Sequence, residues 1–436
     1  MSTSTRFVTN PGGQVGGEIR VPGDKSISHR AAMLGAIAEG TTEIRGFLEG
    51  ADCMATLDAV AAMGIAIERP GAGVVRIRGA GLGGLRAPSA ALDLGNSGTS
   101  MRLLAGLLAG QGFDAILIGD ASLMSRPMER VAAPLRRMGA DVRTNEGRPP
   151  IAIHGGRPLK GVDHRLDVPS AQVKSALLLA GLQAAGRTRV REPAPSRDHT
   201  ERMLEAFGVK VDRAAGEVAV AGGARLHAAR IDVPGDFSSA AFFIVAALIA
   251  GREPLTLLDV GVNPTRTALI DILRLMGADI RVNNRTDAES EPRADIQVHP
   301  GGLRGIAVPE SLVPAALDEM PVLFAAAAVA DGDTIVSGAG ELRVKESDRL
   351  AVMARGLASL GISVETRPDG LRIRGGTVGG GGVDSQGDHR IAMAFAVLGA
   401  RARAPIAIDD AQNVATSFPG FTDLAQAVGL GLSEAS

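Results

Sequence analysis

The chain has 436 residues, too many for one compact core, so two lobes is the prior. Its 45% hydrophobic and 22% charged residues fit an ordinary soluble globular protein, and a net charge of −2 excludes a bulk positive field for nucleic acid or membrane surfaces. With no Trp or Tyr there are few stacking platforms for single strands, and one Cys, Cys53, excludes a disulfide framework or a cysteine metal cluster.

In chain order, Arg6–Thr9 and Glu18–Val21 read as strands ahead of the turn V-P-G-D-K-S (Val21–Ser26), which opens an apolar helix. A strand at Thr42–Gly46 and an amphipathic helix at Ala55–Gly64 follow. The pattern then repeats from G-N-S-G-T-S (Gly95–Ser100), through strand Ala115–Gly119 and helix Met128–Gly139, to two short strands at Ile151–His154 and Arg165–Val168. V-P-S-A-Q-V-K (Val168–Lys174) opens a third copy, with Thr188–Glu192 and Thr200–Gly208. V-P-G-D-F-S-S (Val233–Ser239) opens a fourth, with Pro254–Asp259 and Thr265–Gly277. L-D-E-M-P (Leu317–Pro321) opens a fifth, with Thr334–Gly338 and Asp348–Gly361. S-Q-G-D-H-R (Ser385–Arg390) opens the sixth, with Pro405–Asp409 and a last helix over Phe418–Leu432.

Six turns recurring roughly every 65–85 residues mark copies of one unit. Strands alternating with helices predict α/β repeats, and most second helices stop at a Gly suited to a left-handed C-terminal position. The sixth copy lacks its closing strand pair, which the two N-terminal strands are expected to supply. Two lobes of three repeats follow: residues 1–22 with 235–436, and residues 23–234. Few charges on the first helices predict that they are buried. If their N-termini share a cleft between the lobes, their free N–H groups attract an anion, and a doubly charged one best. No N-terminal signal segment and no apolar run of ~20 residues is present, so the expected location is cytoplasmic.

The polar residues of the turns differ between copies, and those differences locate the candidate site. Lys25, Ser26 and Arg30 in D-K-S-I-S-H-R suit a phosphate, against the plainer reading of an N-cap with solvated charges. G-N-S-G-T-S lacks the Gly-Lys-Ser/Thr ending of a P-loop but allows close backbone approach to a small anion. Arg343, Lys345, Glu346 and Arg349 stand within seven residues of one another, where a solvated helix face is the alternative. Asp318 and Glu319 precede an apolar helix, where capping by Asp318 is the alternative. Asp388 offers another cap beside His389 and Arg390. Five Lys stand against forty-one Arg, and Lys25, Lys174 and Lys345 all lie near predicted helix starts. No His, Cys and carboxylate set has metal-ligand spacing.

Together, P-G-D-K-S-I-S-H-R, L-G-N-S-G-T-S-M-R-L, S-R-P-M, V-P-S-A-Q-V-K-S-A, S-R-D-H-T-E, L-D-E-M-P, R-V-K-E-S-D-R and G-D-H-R-I-A-M resemble the enolpyruvyl transferase family. Within it they resemble the 5-enolpyruvylshikimate-3-phosphate synthases, and S-A-Q-V-K (Ser170–Lys174) with A-T-S-F-P (Ala415–Pro419) resembles their second sequence group. The resemblance runs from Val21 to Pro419. It implies an α/β fold of two lobes, each of three βαβαββ units in an inside-out barrel, with ligand between the lobes. It implies transfer of the enolpyruvyl group of phosphoenolpyruvate to shikimate 3-phosphate through a tetrahedral intermediate, with no cofactor or metal. The two small molecules are the expected partners, with neither nucleic acid nor membrane, and a monomer is expected.

By the same resemblance, Lys25, Gly98, Arg126, Gln172, Arg349 and Arg390 hold phosphoenolpyruvate. Lys25, Ser26, Arg30, Ser170, Ala171, Gln172, Arg197, Asp318 and Lys345 hold shikimate 3-phosphate. Asp318 takes the proton of the attacking hydroxyl, and Glu346 with Lys25 supplies the proton that makes the intermediate's methyl group. Two departures stand out: no Lys precedes Phe418-Pro419, and no Tyr faces the shikimate ring, where Arg197 is offered instead. In this family glyphosate occupies the phosphoenolpyruvate position, and tolerant members often carry Ala where this chain has Gly98. Two alternatives share related architecture. UDP-N-acetylglucosamine enolpyruvyl transferase needs a Cys in the loop aligned with Ala121–Arg126, where none stands. An RNA 3′-phosphate cyclase is opposed by the acidic charge and missing aromatics.

Overall fold

The computed structural model describes residues 5–287 and 291–435. Contacts divide the chain into two compact lobes. The first holds residues up to 22, 234–287 and from 292 on; the second holds 23–233 with Glu291. Among the described residues, no helix is long and apolar enough to cross a membrane.

Each lobe is built from three small sheets backed by helices. In the second lobe the sheets run Arg230–Asp232, Glu39–Arg45, Val74–Ala80, Ala66–Gly71; then Leu92–Asp93, Ala115–Ile118, Arg148–His154, Asp141–Asn145; then Asp163–Arg165, Arg187–Arg191, Glu217–Ala221, Val211–Ala214. In every case the leading strand is parallel to the second, and the rest are antiparallel. The first lobe repeats this plan, except that the fifth sheet has three strands and its leading strand shrinks to a bridge between Ala307 and Ile335.

Several expectations need correction. The segment at Arg165–Val168 does not close the second repeat. Its strand, Asp163–Arg165, pairs in parallel with Arg187–Arg191 and so leads the third. The two N-terminal strands do not both complete the sixth repeat. Arg6–Thr9 does so, lying between Ile406–Asp409 and Leu432–Ala435, but the second, Val15–Ile19, leads the fourth repeat beside Gly251–Gly261. The sixth repeat also supplies a closing strand of its own, because the last helix ends at Ala427 and Leu432–Ala435 follows. Buried Leu430 and Leu432 alternate there with exposed Gly431 and Ser433, a period-2 pattern too short to read unaided. The helix expected from Ala55 starts at Ala51, behind Gly50, which puts Asp52 in its first turn.

Each repeat's second helix, or its counterpart in the sixth, stops at a glycine with positive φ: Gly64, Gly139, Gly208, Gly277, Gly361 and Gly429. There the chain reverses at no steric cost, and the hairpin that follows returns to the sheet. The first helices form the interior. In Phe237–Ala250 all residues are buried, and Gly98–Leu108 meets Ala171–Gly181 so closely that a Cβ on Gly106 would lie 2.1 Å from the Ala176 carbonyl oxygen. Such helices have no charged outer face, and each lobe is held by one continuous apolar cluster around its three. The first lobe adds a phenylalanine knot of Phe7, Phe242, Phe243, Phe418 and Phe421, with centroids 5.3–6.3 Å apart. Burying the interior helices leaves their N-terminal polar residues fixed at the ends of a rigid core.

Candidate active site

In the second lobe, Asp24 accepts from the Ile27 backbone N–H at 2.9 Å and starts the helix Lys25–Ile37, so the plainer capping reading holds for that residue. Lys25, the first helical residue, is ion-paired with buried Asp52. One turn on, Arg30 is 4% exposed and donates to Thr200 Oγ1 at 2.6 Å, Ser175 Oγ at 2.9 Å and the Ser26 carbonyl at 2.9 Å. Burial pulls the Arg30 guanidinium down to about 10 against the opposing charges of Glu201 and Asp24, and the charge of Arg197 acts in the same direction as burial. It remains a cation at neutral pH. Arg30, Ser26 and Arg197 thus belong to one neighbourhood.

Ser97 caps the helix Gly98–Leu108. Arg126, 8% exposed, donates to Asn96 Oδ1 at 2.5 Å and Ser122 Oγ at 3.2 Å. Ser170 caps Ala171–Gly181, whose second residue, Gln172, receives a hydrogen bond from Arg102 at 2.7 Å and donates to Thr99 Oγ1 at 2.9 Å. Arg102 also reaches the Gly98 carbonyl at 3.4 Å. Gly98 and Gln172 are therefore drawn together through Arg102, which sequence reasoning missed, and a Cβ on Gly98 would lie 3.1 Å from Arg126 Nη1.

The second miss is a buried charge cluster. Lys174 lies 2.8 Å from Glu192 and 2.9 Å from Glu201, all three side chains no more than 6% exposed. Burial alone would lower the Lys174 pKa, but the charges of Glu201 and Glu192 outweigh it and raise the pKa above its ordinary value. Glu192 also accepts from the Ser170 backbone N–H at 3.0 Å and from Ser196 Oγ at 2.7 Å. It therefore ties the Ser170 turn to the loop carrying Arg197. A lysine inside K-S-A-L-L-L was the available signal, since a charge on a buried helix face requires partners. A third miss is His29, fully buried and bonded to Thr56 Oγ1 at 2.8 Å and Ser100 Oγ at 3.3 Å. Burial, reinforced by Lys25 and Arg30, holds its pKa well below the usual range, so it is a neutral link between three helices.

In the first lobe, Asp318 stands in the short turn Leu317–Glu319, and the N-cap residue of the following helix is Glu319, not Asp318. Its Oδ1 lies 3.4 Å from Lys345 and 3.5 Å from Arg349, and its Oδ2 lies 4.0 Å from Arg390. Three cations from two further turns therefore converge on one carboxylate. Arg349, only 1% exposed, also reaches Asp388 at 2.7 Å and Glu346 at 2.7 Å. Burial would lower its pKa, yet Asp388, Glu346 and Asp318 together raise it. Asp388, wholly buried, caps its helix through the Arg390 backbone N–H at 3.0 Å while holding Arg349, so its cap is also a clamp. Arg343 instead faces Asp348 at 2.9 Å and the carbonyls of Arg367 and Pro368, an outer brace of the turn. The cluster places a carboxylate able to accept a proton among guanidinium and ammonium groups able to hold anions.

A family model described as EPSP synthase (3-phosphoshikimate 1-carboxyvinyltransferase) matches residues 9–424. The chain is 60% identical over 429 residues to the 3-phosphoshikimate 1-carboxyvinyltransferase of Alkalilimnicola ehrlichii, covering 98% of this chain and 96% of that protein. It is 58% identical to the enzyme of the same name from Methylococcus capsulatus, with 97% of each covered. A solved EPSP synthase from Acinetobacter baumannii superposes with a TM-score of 0.90 at 51% identity, over 99% of this chain and 100% of that one.

Proposed function

The chain belongs to the EPSP synthase (3-phosphoshikimate 1-carboxyvinyltransferase) family, and we propose from that premise how its own residues carry out enolpyruvyl transfer. The reaction joins the 5-hydroxyl oxygen of shikimate 3-phosphate to C2 of phosphoenolpyruvate while C3 gains a proton. The tetrahedral intermediate then loses phosphate from C2 and a proton from C3, restoring the enol ether. The UDP-N-acetylglucosamine alternative is not favoured.

Lys25, Gly98, Arg126, Gln172, Arg349 and Arg390 hold phosphoenolpyruvate. Lys25, Ser26, Arg30, Ser170, Ala171, Gln172 and Arg197, with Asp318 and Lys345, hold shikimate 3-phosphate. Asp318 accepts the hydroxyl proton, and Glu346, with Lys25, delivers the proton to C3. The observation that carries this reading is Asp318 surrounded by Lys345, Arg349 and Arg390. Cations there stabilise both the carboxylate and the negative charge that develops as the hydroxyl attacks. The protein acts as a monomer in the cytoplasm. An assay of inorganic phosphate release tests the reading: it requires phosphoenolpyruvate and shikimate 3-phosphate together. Release supported by UDP-N-acetylglucosamine instead would overturn it.

Gly98 gives a narrower prediction. A Cβ built there would lie 2.9 Å from Arg102 Nη1 and 3.1 Å from Arg126 Nη1. Gly98→Ala therefore displaces the guanidinium groups that face the phosphoenolpyruvate position. Glyphosate is longer than that substrate, and an added methyl in a packed site costs ~1–3 kcal/mol. The native enzyme is expected to be inhibited by glyphosate, and Gly98→Ala to weaken the inhibitor more than it raises KM for phosphoenolpyruvate. Equal losses for both ligands would refute the steric account.

A further inference from the structure

We propose that Glu319 is a positioning residue for Arg390, anchoring that guanidinium to the starts of two neighbouring repeats. The proposal rests on the reading of Arg390 as a phosphoenolpyruvate ligand. Glu319 follows Asp318 directly but sits in a different environment. It is 1% exposed and, although it is the N-cap residue of the helix Met320–Ala327, its side chain makes no cap hydrogen bond. A carboxylate buried at the edge of an apolar cluster needs charged or polar partners.

Those partners are specific. Glu319 Oε1 accepts from Ser238 Oγ and lies 3.9 Å from Arg266 Nη2 and 3.7 Å from Arg390 Nη1. Arg266, 2% exposed, donates to Ser238 Oγ at 2.7 Å and lies 3.5 Å from Asp236 Oδ1. Arg390 Nη1 donates to the Asp318 carbonyl at 2.9 Å, which fixes one corner of its planar fork. One carboxylate thus stands between a guanidinium sealed in the core and one at the candidate site. The contact to Arg390 is an ion pair at 3.7 Å and not a hydrogen bond, so it orients the group without taking up its donors. Glu319 Oε2 is buried and accepts no hydrogen bond among the described residues.

Ser238, Glu319 and Arg390 stand in the opening turns of the fourth, fifth and sixth repeats. The turn V-P-G-D-F-S-S carries no assigned ligand, yet it has a place in this chain of contacts. Ser238 and Arg266 hold Glu319, and Glu319 holds Arg390. Steady-state kinetics and binding on Glu319→Gln, Arg390→Gln and the double variant test it. Glu319→Gln keeps the shape and the Ser238 contact while removing the charge. It is expected to raise KM for phosphoenolpyruvate about 10-fold, with shikimate 3-phosphate affinity by calorimetry held within about 3-fold. In the Arg390→Gln background, Glu319→Gln adds no further loss, because the group it positions is gone. Additive losses, or equal losses for both substrates, would overturn the proposal. Should Glu319→Gln fail to accumulate as folded protein, Ser238→Ala is expected to shift phosphoenolpyruvate KM the same way but less, and an unchanged KM would overturn it. If Arg390→Gln itself leaves KM for phosphoenolpyruvate unchanged, the ligand assignment beneath the proposal is wrong and both fall.

Discussion

Asp318→Asn and Glu346→Gln are each expected to lower kcat by ~10²–10⁴, the usual share of a positioned proton-transfer group. Both substitutions keep side-chain shape. Asp318 lies within 3.5 Å of Lys345 and Arg349, and Glu346 lies 2.7 Å from Arg349, so each change also removes negative charge from the cluster proposed to receive anions. Binding of phosphoenolpyruvate and shikimate 3-phosphate is therefore preserved or tightened while turnover falls. That split separates proton transfer from positioning. If Asp318→Asn instead abolishes binding along with turnover, Asp318 serves to arrange Arg349 and Arg390. If either variant turns over at nearly the native rate, its assigned role is wrong. Calorimetric binding together with phosphate-release kinetics reads both quantities on the same samples.

Lys174→Met is expected to destabilise the second lobe by about 3–5 kcal/mol, since it leaves Glu192 and Glu201 buried without their cation. Denaturant unfolding reads the loss directly, and a change below about 1 kcal/mol, typical of exposed pairs, would show that the cluster is not a buried ion network. The loss also has a pH signature. The folded-state Lys174 pKa is raised, so its stabilising contribution is complete below the unfolded lysine pKa of about 10.4 and is lost as pH rises through the folded value. Lys174→Met therefore flattens the alkaline limb of the stability profile. Because Glu192 holds both the Ser170 backbone and Ser196, surviving folded protein is also expected to bind shikimate 3-phosphate more weakly.

The repeat was readable because each copy announces itself locally. A small-polar cap starts one apolar helix, and a left-handed glycine ends another, and both signals depend on near neighbours in sequence. Strand pairing was less readable. Asp163–Arg165 leads one sheet and Arg148–His154 lies inside another, yet a few residues of alternating pattern look the same in either position. The closing strand Leu432–Ala435 was missed for the same reason. Among the candidate site residues, the turns singled out Lys25, Arg349 and Arg390, because unusual polar residues at helix starts stand out against a repeat. Their partners were not disclosed. Asp52, Glu192 and Arg102 lie 27, 18 and 70 residues from Lys25, Lys174 and Gln172, and only packing brings each pair together. Asp388 was legible as a cap but not as the clamp on Arg349, since a capping carboxylate has a second oxygen whose use depends on another repeat.

In the proposed mechanism, Arg126 and Arg390 hold the same phosphoenolpyruvate. The most direct test is KM for phosphoenolpyruvate in Arg126→Gln, from the second lobe, and Arg390→Gln, from the first, with shikimate 3-phosphate affinity measured alongside. Truncating one partner of a buried charge pair costs about 2 kcal/mol or more, so each variant is expected to raise that KM about 30-fold or more. Shikimate 3-phosphate affinity should stay within about 3-fold of native in both. A large rise in one variant and none in the other would contradict the mechanism, as would a loss confined to shikimate 3-phosphate.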